Sequence, residues 1–513
     1  LFFLCETEEK NCCMVFNSAG GVILPFPTVP TLRAMHRVLP ALFLVGSAAH
    51  QARAPLPVSP AHAPLISLAN WTESFPWARI PTMAWTGYWG PFSRKNMTGT
   101  GRFDDAVVKF LAEHNELIVA SGLEPGSAKH PDPACQEGKT REFADRVAAF
   151  NPNVKTIIYN ANNIHQGALL PGIPSRPNRT SAPGNYMCGL DRFKKEWATT
   201  YANGTAVSFL IPEDYLPPGN LRNPHYMHNL SIAAVRDWWV GIITNETLGK
   251  NVHGAFADNG LTCASASCHP YEDWYLDDDL ERAKPLLRGQ QLMLDQARAA
   301  GKYVVFNGER PVQDYAGLET LLPHADATYF EPWLGGPYRD PTTGKLNASM
   351  ASHALLKMIN ASTIQPNKGV IFRASPSNSV SSGGGESAGD LHTADPAELR
   401  ANATKNIGFP LATFLCAAGA HWKFCYAYTY SVQSYVAGDP KSGNNTLAGQ
   451  PLLSSWVPDN WYPELTMSPG TPLGPCTYDA ATETFARDWS GVSVSLDMNT
   501  ETAEFKWKEG VQP

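Results

Sequence analysis

The feature that most limits what this chain can fold into is a repeated alternation. Eight short apolar runs are separated by amphipathic stretches or long connections. The runs are "IPTMAWTGYW" (80–89), "ELIVASGL" (116–123), "VKTIIYNAN" (154–162), "NVHGAFADNG" (251–260), "KYVVFNGE" (302–309), "DATYFEPW" (326–333), "GVIFRASP" (369–376) and "AHWKFCYAY" (420–428). Each is nearly continuous in hydrophobic residues, the pattern of a strand buried on both faces of a parallel sheet. Helical periodicity fills the spaces at 104–115, 140–150, 231–244, 278–301, 315–325, 350–362 and 396–419. Ser231 stands where an N-cap is wanted, and Gly301 follows the end of the 278–301 helix, which contains Pro285. Eight strands interleaved with helices predict an α/β chain built as a (β/α)8 barrel over 75–435. A doubly wound open sheet is the rival, but no G-x-G-x-x-G follows any of the runs.

Two segments break the alternation. Residues 163–228 form a Pro-, Asn- and Gly-rich insertion with no clear periodicity. Beyond 436 the helical pattern ends, and "SGVSVSLDMNTETAEFKW" (490–507) alternates strictly around a turn at Asn499-Thr500. That predicts a β-hairpin within a small C-terminal β-rich domain, 436–513.

The N-terminus suggests export. "MHRVLPALFLVGSAAHQARA", beginning at Met35, has an early charge, an apolar run and small-residue cleavage sites, so 35–54 reads as a signal peptide. Residues 1–34 show no periodicity and read as a non-native upstream segment. The apolar run is short for a stable membrane span. Ten N-x-S/T sequons, at Asn70, Asn96, Asn178, Asn203, Asn229, Asn245, Asn347, Asn360, Asn402 and Asn444, fit a secreted glycoprotein. Seven cysteines lie beyond the signal, too few for a disulfide scaffold, and Cys263 and Cys268 are close enough in sequence for a local bridge. A net charge of −7 gives no footprint for nucleic acid. No Cys-x-x-Cys pair suggests zinc, and neither a metal nor another cofactor is expected. The oligomeric state is not legible.

In a barrel of this kind the active site lies at the C-terminal ends of the strands. Those ends carry Trp85 and Tyr88, then Glu124, then Asn160 and Asn162, then Asp258 and Asn259. Asn307 and Glu309 follow on the fifth strand, Glu331 and Trp333 on the sixth, Arg373 on the seventh, and Tyr426 and Tyr428 on the eighth. Acids at buried strand ends are costly unless they serve a purpose. Acids and amides mixed with aromatic platforms suit a carbohydrate substrate. Cleaving a glycosidic bond takes two carboxyl groups, one protonating the leaving oxygen and one attacking the sugar or activating water. Asp258 is the candidate nucleophile and Glu331, between Phe330 and Trp333, the candidate acid/base. The other twelve are candidate substrate-binding residues, with Glu309 also the rival acid. Each has a plainer reading: Asp258 as a turn former before Asn259-Gly260, Glu331 as a structural partner of Arg373, Glu309 as a solvated acid beside Arg310, and Trp85 as core.

The stretches "WTGYWGPF", "VKTIIYNAN", "VHGAFADNG", "VVFNGE", "TYFEPW" and "FARDWSGVSVSLDMNTETAEFKW", spread over roughly 80–507, together resemble glycoside hydrolase-like barrel proteins of bacteria and algae. The layout is more distantly similar to α-galactosidase-like barrel glycosidases with an Asp nucleophile on strand four and an acid/base on strand six. That resemblance implies those roles for Asp258 and Glu331, and a retaining mechanism. The alternative is a carbohydrate-binding barrel without turnover.

Overall fold

The computed structural model describes residues 2–4, 14–16, 77–85, 87–89, 105–120, 136–160, 164–165, 193–200, 204, 206, 208–210, 224–258, 280–309, 317–333, 338–340, 343–376, 396–427, 431–433 and 461–508. The chain divides into two compact units, Leu1–Ala63 and Pro64–Pro513. In the first, Phe2–Leu4 and Met14–Phe16 pair antiparallel. The expected signal peptide lies outside the described residues.

The second unit contains the barrel. Its strands are β1 (Met83–Trp85), β2 (Leu117–Ala120), β3 (Lys155–Tyr159), β4 (Val252–Ala257), β5 (Tyr303–Glu309), β6 (Ala327–Trp333), β7 (Gly369–Ala374) and β8 (Lys423–Tyr426). They pair in chain order and all in parallel. The seam between β1 and β8 is bridged by Thr82 and Phe424, where the Phe424 N–H donates to the Pro81 carbonyl at 2.8 Å. Further along, Gly87–Trp89 pairs in parallel with Ser431–Gln433. A sheet joined at both points has no free edge there, so the open doubly wound alternative fails.

Alternation along each strand sorts the apolar residues into two cores. Met83, Trp85, Leu117, Val119, Ile157, Tyr159, Phe256, Val305, Ala327, Tyr329, Ile371 and Cys425 fill the lumen. Ile158, Ala255, Ala257, Val304, Phe306, Phe330, Phe372 and Phe424 face outward into the larger core that the helices share. The flanking helices include α1 (Asp105–His114), α2 (Gln136–Phe150), α3 (Ala233–Ile243), α4 (Leu280–Ala299), α5 (Ala348–Ile364), α6 (Pro396–Asn406) and α7 (Gly408–Ala417). Gly254 is needed where β4 meets β5, because a Cβ there would sit 1.8 Å from the Tyr303 carbonyl oxygen.

Two local expectations change. Ser231 does not cap α3; the N-cap is Ile232, with no side-chain bond, while Ser231 Oγ lies 2.5 Å from Asn229 Oδ1. Asn347 caps α5 instead, its side-chain oxygen accepting from the Met350 N–H at 3.1 Å. The 163–228 insertion is not wholly irregular. Pro224–Met227 pairs antiparallel with both Ile164–His165 and Ser208–Leu210.

The predicted hairpin forms the last two strands of a four-stranded antiparallel sheet: β9 (Thr477–Asp479), β10 (Thr484–Asp488), β11 (Val492–Asp497) and β12 (Thr502–Trp507). Val492, Val494 and Leu496 enter the same core as Phe414 and Leu415 of α7. Arg487 strengthens this junction. Its Nη1 donates to the Leu415, Cys416 and Ala418 carbonyls and its Nε to Gly474, at 2.8–3.2 Å, capping the C-terminus of α7 with a cation. Cys416, Cys425 and Cys476 are buried thiols.

Candidate active site

The C-terminal end of β4 delivers Asp258 as sequence reasoning expected, and both carboxylate oxygens are engaged. The Asn307 side-chain amide, from β5, donates to Oδ1 at 2.8 Å. The Tyr159 hydroxyl, from the end of β3, donates to Oδ2. Hydrogen bonds donated to both oxygens favour the ionised carboxylate and fix its orientation. Three consecutive parallel strands therefore converge on one acid.

Beneath it, the upper lumen is a cluster of aromatic rings. Trp85 meets Phe256 edge-on with centroids 4.6 Å apart, and lies 5.6 Å from Tyr159 and 5.9 Å from Tyr329. Phe256 meets Tyr329 edge-on at 5.1 Å. Edge-to-face packing of this kind adds to the stability gained by burying the rings. It gives Asp258 a rigid floor. Trp85 belongs to that floor and is buried, the core reading rather than an open sugar platform.

Tyr159 is the member that sequence reasoning missed. Its hydroxyl is the functional part, but in "VKTIIYNAN" it reads as one more residue of an apolar run. The signal was the alternation: Ile157 and Tyr159 share the lumen face, which makes Tyr159 the last lumen-facing side chain before the mouth.

Several expected binding residues lie elsewhere. Trp333 is only 2% exposed and packs against Tyr338 and Phe372 in the outer core, centroids 5.1 and 5.3 Å away. A register irregularity between Phe330 and Trp333 interrupts the simple alternation of β6. Tyr426 is 5% exposed; it stacks on Phe424, and its hydroxyl donates to the Ala403 carbonyl of α6 at 2.9 Å. Both are wall residues and do not serve as stacking platforms. Asn160 is buried, with its backbone N–H on the Phe256 carbonyl at 2.9 Å and its side-chain amide nitrogen lacking a hydrogen bond. Arg373 is buried within β7 but does not lie elsewhere: alternation puts it on the lumen face with Ile371, beside Cys425.

Glu331 and Glu309 are positions on β6 and β5, and Tyr88 lies in the Gly87–Trp89 strand, but their side chains lie outside the described residues. Glu124, Asn162, Asn259 and Tyr428 also lie outside them, as does Gly385–Gly389, whose Gly-Glu-Ser-Ala-Gly spelling matches a serine-hydrolase elbow. Among the described residues no group of three or more His, Cys, Asp or Glu is arranged to hold a metal ion. No helix among them is long and apolar enough to cross a membrane.

No family model matches the chain, and no curated protein matches it. Solved structures similar to it include a Geobacillus thermoleovorans α-amylase in complex with acarbose, at 9% identity and TM-score 0.39, covering 82% of this chain and 87% of that one. A GH36 α-galactosidase from Geobacillus stearothermophilus in complex with raffinose has 11% identity and TM-score 0.35, covering 81% of this chain and 47% of that one. A Paenibacillus cycloisomaltooligosaccharide glucanotransferase has 11% identity and TM-score 0.35, covering 58% of this chain. The match spans 38% of the glucanotransferase, well under two thirds of its length. The α-amylase and the α-galactosidase are glycoside hydrolases. At TM-scores this low the likenesses assign the chain to no family, and the barrel rests on its own strand order and seam.

Proposed function

We propose that this protein is a secreted glycoside hydrolase that cleaves O-glycosidic bonds of an oligo- or polysaccharide with two carboxyl groups. One observation carries the reading: the Asp258 carboxylate, held at both oxygens by Tyr159 and Asn307 over an aromatic floor at the C-terminal end of the barrel. A carboxylate bonded only as an acceptor is kept anionic and aimed, as a nucleophile or base must be. Asp258 is assigned the nucleophile role. Glu331, on β6 within the irregular stretch that follows Phe330, is assigned the acid/base. In a retaining reaction Asp258 attacks the anomeric carbon as Glu331 protonates the departing oxygen. Glu331 then takes a proton from the water that releases the sugar. The sequon-rich surface supports an exported chain: Asn347, Asn360 and Asn402 are exposed.

The test is hydrolysis of a panel of aryl glycosides by the parent, Asp258→Asn and Glu331→Gln. Both variants should lose turnover on the substrate the parent cleaves and still bind its sugar product. A carbohydrate-binding barrel without catalysis would leave the parent inactive on the whole panel. Parental turnover in either variant would refute the assignment of that residue.

A further inference from the structure

The opposite end of the barrel has chemistry that the proposed reaction does not use. Lysines stand at the starts of four strands: Lys155 and Lys423 are the first residues of β3 and β8, and Lys302 and Lys368 directly precede β5 and β7. Two are already occupied. Lys302 Nζ donates to the Val252 carbonyl at 3.1 Å, and Lys368 Nζ donates to the Pro323 and Ala325 carbonyls. Lys155 lies over the Tyr303 ring, 5.7 Å from its centroid.

Lys423 differs. It borders a cavity of about 560 Å³ at the seam between β1 and β8, lined also by Trp77, Arg79, His114, Glu116 and Trp461. Its ammonium has three donors, and among the described residues its one hydrogen bond is to the His421 carbonyl at 3.5 Å, the outer limit for such a bond. The neighbouring acid is committed elsewhere. Glu116 Oε1 accepts from Arg79 Nε and Nη2 at 3.3 and 3.1 Å, and Oε2 accepts the Thr82 backbone N–H at 2.6 Å. Burial pushes the Lys423 ammonium down to about 8, and the Lys155 charge adds to that while Glu116 opposes it. Lys423 is only partly buried, so its unused donors meet water, and an anion entering the open cavity gains charge-assisted bonds that water does not give. Trp461, edge-on to His114 at 4.7 Å, supplies an apolar wall.

We propose that this cavity is a second binding site, separate from the Asp258 end, for a small oxyanion bearing a phosphate or carboxylate group, with Lys423 as its principal ligand. The volume accommodates an anion of monosaccharide size as readily as an inorganic one. The site does not depend on the barrel being a glycosidase.

The experiment is site-resolved acylation of lysines by an amine-reactive ester, read by peptide mass spectrometry at constant ionic strength. Inorganic phosphate and glucuronate are the two probes, and the exposed Lys506 is the internal control. At ten times its dissociation constant a ligand that covers Lys423 slows acylation there roughly tenfold, by mass action, and leaves Lys506 unchanged. Protection by phosphate alone, by glucuronate alone or by both supports the site and identifies the oxyanion it prefers. As a second readout, the effective anion should raise the Tm of the parent saturably and leave that of Lys423→Met unmoved. The proposal is overturned if neither anion protects Lys423, if Lys506 is slowed equally, or if Lys423→Met keeps the Tm response.

Discussion

Replacing Arg487 by Met tests how the C-terminal sheet is joined to the barrel. The side chain is 3% exposed, and its guanidinium donates to four backbone carbonyls, three of them at the end of α7. It also lies over the Trp489 ring, 5.0 Å from the centroid. Two opposing terms decide the outcome. Burial pushes the guanidinium well below its ordinary value, to about 10, which corresponds to about 3 kcal/mol of desolvation that its partners do not offset. Met would relieve that cost while filling similar volume. Against it, each buried carbonyl left without a donor costs ~1–3 kcal/mol, and three are left at once at the end of α7, while the half-buried Gly474 carbonyl can turn to water. Loss of the cation at the α7 C-terminus adds ~0.3–2 kcal/mol. The orphaned carbonyls win, and Arg487→Met should destabilise by roughly 3–5 kcal/mol, the middle of the balance of these terms. Equilibrium urea unfolding followed by tryptophan fluorescence and far-UV circular dichroism measures it. A loss below about 1 kcal/mol, or a gain, would show that desolvation outweighs the carbonyl bonds and refute the reasoning.

The remaining predictions concern the site and its frame. Tyr159→Phe keeps the floor ring but removes the donor to Asp258; a charge-assisted bond worth ~1.5–3 kcal/mol predicts a ~10- to 100-fold fall in kcat/KM with unchanged circular dichroism, and unchanged kinetics would remove Tyr159 from the site. Gly254→Ala forces a methyl group onto the Tyr303 backbone and should cost more than ~3 kcal/mol, beyond the usual range for overpacking; a variant with parental Tm would mean the strands separate freely. His253 is held below the ordinary imidazole value, mainly by partial burial and further by Lys155 and Lys302. The unfolded chain then protonates first as pH falls below 6.5, so stability is intact above that value and is lost as pH drops toward the folded value. His253→Gln should flatten the fall in Tm below pH 6.5, and an unchanged slope would show that this histidine does not contribute.

Much of the architecture was legible because parallel strands buried on both faces leave continuous apolar runs. "VKTIIYNAN" and "VHGAFADNG" became β3 and β4 for that reason. Part of the candidate site was legible through chemistry: an acid and an amide at strand ends, Asp258 and Asn307, are bonded to each other. Which face a strand-end residue occupies was harder to read. Phe424 and Tyr426 share the outward face of β8 while Cys425 faces the lumen, so a two-residue period already placed Tyr426 in the wall. For Trp333 that rule alone is insufficient, because the irregularity after Phe330 resets the alternation; Pro332, which has no N–H for the ladder, is the one mark of it in "TYFEPW". Tyr159 was hidden by its own apolar ring. The C-terminal sheet showed its hairpin clearly, but not Arg487, whose partners on α7 and just past it lie 69 to 72 residues away in sequence.

The most direct test of the catalytic assignment is to incubate the protein with the 2-deoxy-2-fluoro glycosyl fluoride of whichever sugar it hydrolyses, then map the trapped adduct by peptide mass spectrometry. A slow-release intermediate should build up on the peptide containing Asp258, with one sugar esterified to that carboxylate, and should be absent from Asp258→Asn. A sugar ester mapped to any other residue would contradict the account, as would undiminished labelling of the Asn variant.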